Sequence, residues 1–311
     1  MNSKINILLA SPRGFCAGVK RAIEIVELAI EKYGAPIYVR HEIVHNKRVV
    51  QDLSKKGAIF VEELEEIPKG SRVIFSAHGV AKQIKDQAKD YEHLTLDATC
   101  PLVSKVHKQT EKYFDKSYKI ILIGHKGHPE VIGIQGQIPE DLIIIQNESE
   151  AESLQINPKD KVAYVTQTTL SLNDTKNIIE ILKRKIPNIT GPELDDICYA
   201  TQNRQEAVSE LSRKSDLVLV IGSENSSNTK RLAEIVTKKR VKVHRVANVG
   251  EIQKEWLNQV NNIGITAGAS SPEVLIEEII NYFKSIYKEV NVETMNGVEE
   301  KIKFKPLLNF S

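Results

Sequence analysis

Short apolar segments alternate with longer amphipathic stretches along most of this chain. Seven segments are rich in Ile, Val and Leu, which is typical of strands buried in a parallel sheet: INILLA, PIYVRH, RVIFSA, YKIILIG, KVAYVT, DLVLVIG and NIGITAG. Apolar residues recur at helical spacing in four of the longer stretches: residues 19–33, 171–186, 228–238 and 272–287. This alternation predicts an α/β protein with mostly parallel sheets flanked by helices.

Polar residues recur at a fixed spacing after the predicted strands. Each cysteine is followed 28 or 29 residues later by a polar loop residue, in the pairs Cys16 and His45, Cys100 and His128, and Cys198 and Ser226. After each pair comes a further polar residue near the end of another predicted strand: His78, Thr168 and Ser270. The alternative is coincidence, because loops between strands and helices often carry polar residues.

The repeat predicts three lobes related by a pseudo-threefold axis around one shared centre. We place them at residues 1–99, 100–197 and 198–287, followed by a C-terminal tail at 288–311. The first strand, within residues 1–13, could instead pair with another lobe. The tail, with its KIKFKPLLNF segment, could cover the site or pack on the surface.

The net charge, the N-terminal sequence and the cysteine count exclude several classes of protein. The 311 residues carry 43 basic and 41 acidic side chains, a net charge of +2, so no basic stripe for nucleic acid is expected. The apolar run near the N-terminus is too short for a signal peptide or a membrane span. Three cysteines cannot all pair with one another, which favours a reducing compartment. We therefore expect a cytoplasmic protein with no membrane contact.

All three cysteines lie where a strand is predicted to lead into a helix, and Pro101 follows Cys100 at the first helical position. The free amides and dipole of a helix N-terminus stabilise a thiolate, the form that binds metal. A single cysteine would more often be a packed core residue. Zinc usually takes closely spaced cysteine pairs, whereas iron–sulfur clusters accept distant ligands. Three thiolates would leave one iron of a four-iron cluster open for substrate.

Two loops carry further chemistry. GHKGHPEVIG places Glu130 beside His128, which suits proton transfer near an anion. GSENSSNTKRL places Ser226, Ser227 and Asn228 before a helix, which suits phosphate binding, although the same residues are common helix caps. No nucleotide-binding glycine motif follows a strand. A small phosphorylated ligand near a metal cluster is the combined interpretation.

Nine segments resemble the 4-hydroxy-3-methylbut-2-enyl diphosphate reductase (LytB/IspH) family: SPRGFCAGVKRAI, YVRHEIVHN, FSAHGV, DATCPLVSKVH, GHKGHPEV, TQTTLS, DDICYATQNRQ, GSENSSNTKRL and TAGASSP. The resemblance implies three α/β lobes around a central [4Fe-4S] cluster with three protein thiolates and one open iron. It also implies an enzyme that performs a two-electron, two-proton reductive dehydroxylation. The substrate would be (E)-4-hydroxy-3-methylbut-2-enyl diphosphate, and the products isopentenyl and dimethylallyl diphosphates, in the last step of the methylerythritol phosphate route to isoprenoids.

The resemblance also assigns roles to residues. The cluster ligands would be Cys16, Cys100 and Cys198, and Glu130 would be the proton donor with Thr168 as its partner near the substrate hydroxyl. The diphosphate contacts would come from the remaining polar loop residues: His45, His78, His128, Ser226, Ser227, Asn228 and Ser270. At least one of these histidines is expected to be protonated in the complex.

The chain shows no flavin or nicotinamide fingerprint, so we expect a separate electron-donor protein of the ferredoxin or flavodoxin type. Two alternatives from other classes stay open at this point. A zinc-stabilised protein that binds phosphorylated metabolites would keep the pocket without redox activity. A thiol redox sensor would need two cysteines within bridging distance.

Overall fold

The computed structural model describes residues 4–157, 159–192 and 196–310. The start of the predicted N-terminal strand, residues 1–3, and Asp195 of the DDICYATQNRQ segment lie outside the described residues. The strands are β1 Lys4–Leu9, β2 Ile37–Arg40, β3 Ala58–Val61, β4 Arg72–Phe75, β5 Leu94–Asp97, β6 Lys119–Ile123, β7 Ile143–Ile145, β8 Val162–Thr166, β9 Leu217–Ile221, β10 Lys242–Val246, β11 Asn262–Ala267 and β12 Glu289–Thr294.

The helices follow the strands in the order that the alternating pattern predicts. They are α1 Ala17–Tyr33, α2 Lys47–Lys56, α3 Lys82–Asp90, α4 Pro101–Asp115, α5 Pro129–Gln135, α6 Glu148–Ser153, α7 Leu172–Lys185, α8 Tyr199–Ser212, α9 Ser227–Lys238 and α10 Glu273–Ile286. The seven predicted strands and four predicted helices are confirmed, and the strand pairs of all three sheets are parallel. The predicted α/β class is therefore confirmed.

The chain divides into two compact units. One comprises Met1–Ala17, His45–Val49 and Tyr199–Lys303, and the other comprises Gly18–Val44, Val50–Cys198 and Phe304–Ser311. The second unit contains two separate sheets. The division into three lobes at the residues given above remains a prediction.

The first unit is built on one five-stranded sheet in the order β10-β9-β11-β1-β12. Every residue of β9 is buried, because its continuous LVLVI run meets apolar side chains on both faces of the sheet. Phe283 and Ile279 of α10 pack against one face, and Leu232 and Val236 of α9 belong to the cluster on the other. The N-terminal strand β1 lies inside this sheet, between β11 and β12.

The second unit contains a four-stranded sheet, β3-β2-β4-β5, and a three-stranded sheet, β7-β6-β8. Strands β4 and β8 are almost wholly buried, and they end at the loops that hold His78 and Thr168. Val106 and Tyr113 of α4 pack on the three-stranded sheet beside Val131. The sheets thus position the loops that carry the predicted site residues.

Strand β12 was not predicted, because its sequence EVNVET lies in the weakly patterned tail. Its residues pair in register with β1, from Lys4 opposite Glu289 to Leu9 opposite Thr294. It is an edge strand with mostly exposed side chains. An edge strand needs no continuous apolar run, so hydrophobic patterning does not detect it.

The end of the tail packs on α1 in the second unit. The Arg21 guanidinium donates through Nε to the Lys305 carbonyl oxygen at 3.1 Å, and the Tyr33 hydroxyl donates to the Leu308 carbonyl oxygen at 2.8 Å. The rings of Tyr33 and Phe310 meet edge to face with centroids 5.1 Å apart.

None of the helices in the described part of the chain combines the length and apolar character that crossing a bilayer requires.

Candidate active site

Each cysteine lies at the start of a helix, as the sequence predicts. Cys16 directly precedes α1, Cys198 directly precedes α8, and Cys100 is the N-cap residue of α4 with Pro101 at the first helical position. All three thiols are free of disulfides and partly exposed. Cys16 belongs to the first unit, and the other two belong to the second. Within the described residues, no group of three or more His, Cys, Asp and Glu side chains surrounds a point where a single metal ion would bind.

Glu130 and Thr168 form a direct pair in the second unit. The Thr168 amide donates to Glu130 Oε1 at 2.7 Å, and the Thr168 hydroxyl donates to Glu130 Oε2 at 3.0 Å. The Thr168 carbonyl oxygen in turn accepts the Cys198 amide at 3.0 Å. The predicted proton donor, its predicted partner and one predicted cluster ligand are therefore connected through a single residue.

Glu130 is almost completely buried, with 2% of its surface exposed. The pKa of its carboxyl group is raised from 4.5 to about 7, mainly by burial and also by the Asp196 carboxylate, while the two hydrogen bonds from Thr168 oppose the shift. Near neutral pH, a fraction of the protein therefore carries a proton on this carboxyl group. A group with a pKa close to the working pH is suited to general acid catalysis.

The raised pKa predicts a pH-dependent stability. The folded chain holds the Glu130 proton more tightly than the unfolded chain does, so the free energy of unfolding should fall as pH rises from about 4.5 to about 7. The loss attributable to this group is on the order of 3 kcal/mol. Urea unfolding at pH 5 and pH 7.5 measures it. Glu130→Gln should remove this part of the slope, whereas Glu24→Gln, at an exposed site on α1, should retain it; equal slopes for the wild type and Glu130→Gln would contradict the prediction.

His128 lies next to the pair and caps α5. Its Nδ1 accepts the Glu130 amide at 3.1 Å, so the ring carries its proton on Nε2 and is neutral in this arrangement. The ring of His78 lies edge to face with that of His128 at a centroid distance of 6.1 Å, and His78 Nδ1 is 3.2 Å from the Ser76 hydroxyl. The structure brings these two predicted diphosphate contacts together.

A glycine behind His78 has no room for a side chain. Gly79 has a φ of +84°, and a Cβ atom there would lie 2.6 Å from Cε1 of His107 on α4. His107 is buried, and its pKa is lowered to about 4, mainly by burial and then by Lys85, so the ring stays neutral at neutral pH. Neutral His107 therefore packs directly behind the loop that holds His78.

Gly79→Ala is predicted to displace His78. The added methyl group has to push His107 or the loop, which should lower stability by about 1–3 kcal/mol and weaken diphosphate binding. Thermal unfolding and calorimetric binding of inorganic pyrophosphate measure the two effects. Gly34→Ala is the matched control, because Gly34 has a similar φ of +78° but open space around it. Unchanged pyrophosphate affinity in Gly79→Ala would contradict the positioning role.

The first unit brings together another set of predicted residues. The Cys16 amide donates to the Ala269 carbonyl oxygen at 3.2 Å, and the neighbouring Ser270 hydroxyl donates to the His45 carbonyl oxygen at 3.0 Å. His45 Nδ1 is 3.3 Å from Nδ2 of Asn225. The predicted ligand Cys16 is thus linked through one loop to two predicted diphosphate contacts.

Ser226, Ser227 and Asn228 occupy the start of α9. The Ser226 hydroxyl caps the helix by accepting the Thr229 amide at 3.3 Å, so the capping interpretation is confirmed for this residue. Asn228 is different, because its side-chain amide is buried and neither its oxygen nor its nitrogen has a hydrogen-bond partner among the described residues. A buried amide left without partners is costly, which favours a polar ligand at this helix end.

Three residues near these sites were not predicted. Asn225 contacts His45, Asp196 is a buried carboxylate whose charge acts on Glu130, and Arg21 donates to the Ala98 and Thr99 carbonyl oxygens directly before Cys100. Asn225 lies within GSENSSNTKRL, so its motif offered a signal. Arg21 and Asp196 also lie within quoted segments, SPRGFCAGVKRAI and DDICYATQNRQ, but the burial through which they act is not visible in the sequence.

Comparison with known proteins identifies relatives over nearly the whole chain. The family model described as "LytB protein" matches residues 7–284. A protein of Burkholderia pseudomallei named 4-hydroxy-3-methylbut-2-enyl diphosphate reductase is 53% identical over 301 residues, which cover 97% of this chain and 96% of the relative. A Rhodopseudomonas palustris protein, named 4-hydroxy-3-methylbut-2-enyl diphosphate reductase 1, is 53% identical over 298 residues, or 96% of this chain and 97% of the relative.

Solved structures agree with the sequence relatives. The E-1-hydroxy-2-methyl-but-2-enyl-4-diphosphate reductase of Plasmodium falciparum superposes with a TM-score of 0.93 at 40% identity and covers 98% of this chain and 96% of its own. A second structure is described as (E)-4-hydroxy-3-methyl-but-2-enyl diphosphate reductase, the terminal enzyme of the non-mevalonate pathway. It matches with a TM-score of 0.65 at 30% identity, over 90% of this chain and 99% of its own. The chain therefore belongs to the LytB protein family.

Proposed function

We propose that the chain catalyses the reductive dehydroxylation of (E)-4-hydroxy-3-methylbut-2-enyl diphosphate. The allylic C–O bond breaks, two electrons and two protons are consumed, and water leaves. Isopentenyl and dimethylallyl diphosphates are the products, at the end of the methylerythritol phosphate pathway. The observation that carries the proposal is the buried Glu130–Thr168 pair joined to Cys198, in a chain whose relatives bear the name of this reductase.

Membership in this family implies an iron–sulfur cofactor, and the thiols of this chain fit one. They form no disulfide, are partly exposed and lie at helix N-termini, where the thiolate form is stabilised. Burial lowers the pKa of the Arg21 guanidinium overall, and the thiolate form of Cys100 and the Asp97 carboxylate oppose this shift. We assign Cys16, Cys100 and Cys198 as the ligands of a [4Fe-4S] cluster. When bound, such a cluster supplies electrons and an open iron that acts as a Lewis acid toward the substrate hydroxyl.

Glu130 supplies a proton to the departing hydroxyl group. Hydroxide is a poor leaving group, whereas water leaves readily, so a carboxyl group that is still protonated near neutral pH lowers the barrier. The Thr168 amide and hydroxyl fix the orientation of both carboxyl oxygens. We assign Thr168 as the partner of Glu130 near the substrate hydroxyl.

The diphosphate is held by groups that are mostly neutral. In the first unit we assign His45, Ser270 and the start of α9 with Ser226, Ser227 and Asn228, where helix amides and the unpaired Asn228 side chain favour an anion. In the second unit we assign His78 and His128. His128 donates through Nε2, because its Nδ1 is occupied by the Glu130 amide.

Electrons come from a separate donor protein of the ferredoxin or flavodoxin type, since the chain carries no flavin or nicotinamide motif. The test is an anaerobic assay of the purified protein with the hydroxylated diphosphate and dithionite, in which both products are quantified. We expect both isomers with dithionite and no turnover with a nicotinamide nucleotide alone. Absence of either product after anaerobic reconstitution with iron and sulfide would overturn the proposal.

A further inference from the structure

Three lysines form one exposed row on α4. Lys105, Lys108 and Lys112 stand at positions i, i+3 and i+7, a spacing that places their side chains on the same face of a helix. All three are exposed, whereas Val106 and Thr110, on another face of α4, are buried. At 1.5 Å per residue, the row spans about 10 Å of the helix.

The row borders a groove of about 600 Å³ in the second unit. Among the described residues, this groove is lined by four cations, the three lysines and Arg21, and by one carboxylate, that of Asp97. That carboxylate is 2.7 Å from the Lys85 ammonium, which already compensates its charge. Since the whole chain is nearly neutral, this positive charge is a local feature. A cleft lined by charge of one sign attracts a partner of the opposite sign and raises its rate of association.

The groove reaches the residues on either side of Cys100. Thr99 and Pro101, the two neighbours of that cysteine, both line it. Arg21 is only 5% exposed and donates to the Thr99 carbonyl oxygen at 3.0 Å, so it fixes the backbone directly before the cysteine. A partner seated against the lysine row would therefore lie next to a proposed ligand of the redox centre.

We propose that this lysine row and groove are the docking surface for an acidic one-electron carrier protein. This inference rests on the proposed function, which requires such a carrier, and adds where the carrier binds. The charge complementarity steers the encounter and makes it sensitive to salt, as suits a carrier that must leave after each electron. Leu307, 64% exposed at the same groove, supplies an apolar contact beside the charges.

The test reverses two charges in the row and two at a matched site. The test variant combines Lys105→Glu with Lys112→Glu, seven residues apart on α4. The control variant combines Lys176→Glu with Lys183→Glu, which are also seven residues apart and exposed, on α7 of the same unit. Turnover is measured with a reduced plant-type ferredoxin at varied concentration, and separately with dithionite. Binding of that ferredoxin is measured by surface plasmon resonance at low and high salt.

For the α4 variant, we expect KM and Kd for ferredoxin to rise by about tenfold or more at low salt, with turnover on dithionite unchanged within about twofold. The α7 variant should match the wild type in every measurement. Unchanged ferredoxin Kd in the α4 variant, equal loss in both variants, or equal loss with dithionite would each overturn the docking surface. A tighter, α4-dependent affinity for a single-stranded oligonucleotide than for ferredoxin would overturn it too. If the wild type binds ferredoxin through α4 but shows no turnover with dithionite, the docking surface stands and the proposed function fails.

Discussion

Glu130→Gln is expected to lower kcat by about 10²–10⁴-fold while substrate affinity changes little. The amide keeps the size and the buried position of the carboxyl group, and it can still accept the Thr168 amide hydrogen bond. It cannot deliver a proton to the departing hydroxyl, so only the chemical step is affected. Steady-state kinetics with dithionite, together with calorimetric titration of the substrate, separate the two effects.

The control for this variant is Glu24→Gln, which replaces an exposed carboxylate on α1 and should retain wild-type kcat. The dependence of kcat on pH is a second measurement, which would not change if Glu130 had only a structural role. Wild-type kcat should fall as pH rises through the pKa of Glu130 in the complex, whereas the residual activity of Glu130→Gln should lack this limb. A variant with kcat within about threefold of the wild type would remove Glu130 from the proposed mechanism.

The Cys100→Ser variant is expected to be inactive and to lose most of the bound iron. The hydroxyl of serine is almost never ionised near neutral pH, so it does not replace a thiolate ligand even at the N-terminus of α4. The variant should nevertheless fold, because the side chain is only partly buried and serine is a good N-cap residue. Iron and sulfide analysis after anaerobic reconstitution, with circular dichroism to confirm folding, measures the effect.

Val103→Ala on the same helix provides the control. Val103 is buried, so its truncation should destabilise α4 by about 1–3 kcal/mol without removing a ligand, and iron content should stay at the wild-type level. Cys16→Ser and Cys198→Ser should behave like Cys100→Ser. If Cys100→Ser keeps its iron, or if Val103→Ala loses as much, Cys100 is a packing residue and not a ligand.

Most strands with continuous apolar runs could be predicted, although the short runs AIFV of β3 and III of β7 were missed. Strands such as β8 and β9 are buried on both faces, so their sequences must be apolar throughout. Strand β12 was not predicted because it lies at a sheet edge, and β10 was not predicted because its KVHRV sequence is only partly buried. Hydrophobic patterning reports burial, and it fails where a strand is held mainly by backbone hydrogen bonds.

The sequence predicted the site residues whose place in the fold follows from the end of a strand. Glu130, Thr168 and Cys198 were each singled out by loop context, but their mutual hydrogen bonds depend on how three loops fold together. The raised pKa of Glu130 depends on burial, which no local motif encodes. For the same reason, no role was predicted for Arg21 and Asp196, although both lie in segments that carry the family resemblance, because both act from buried positions.

The most direct test of the central claim is a visible absorption spectrum, with iron and sulfide analysis, of protein purified without oxygen. The spectrum is recorded again after addition of (E)-4-hydroxy-3-methylbut-2-enyl diphosphate. We predict bound iron and sulfide and a broad visible absorption that the substrate perturbs, because in the proposed mechanism the substrate hydroxyl would bind beside the cluster held by Cys16, Cys100 and Cys198. A colourless protein that stays colourless after anaerobic reconstitution and binds zinc instead would contradict the redox mechanism.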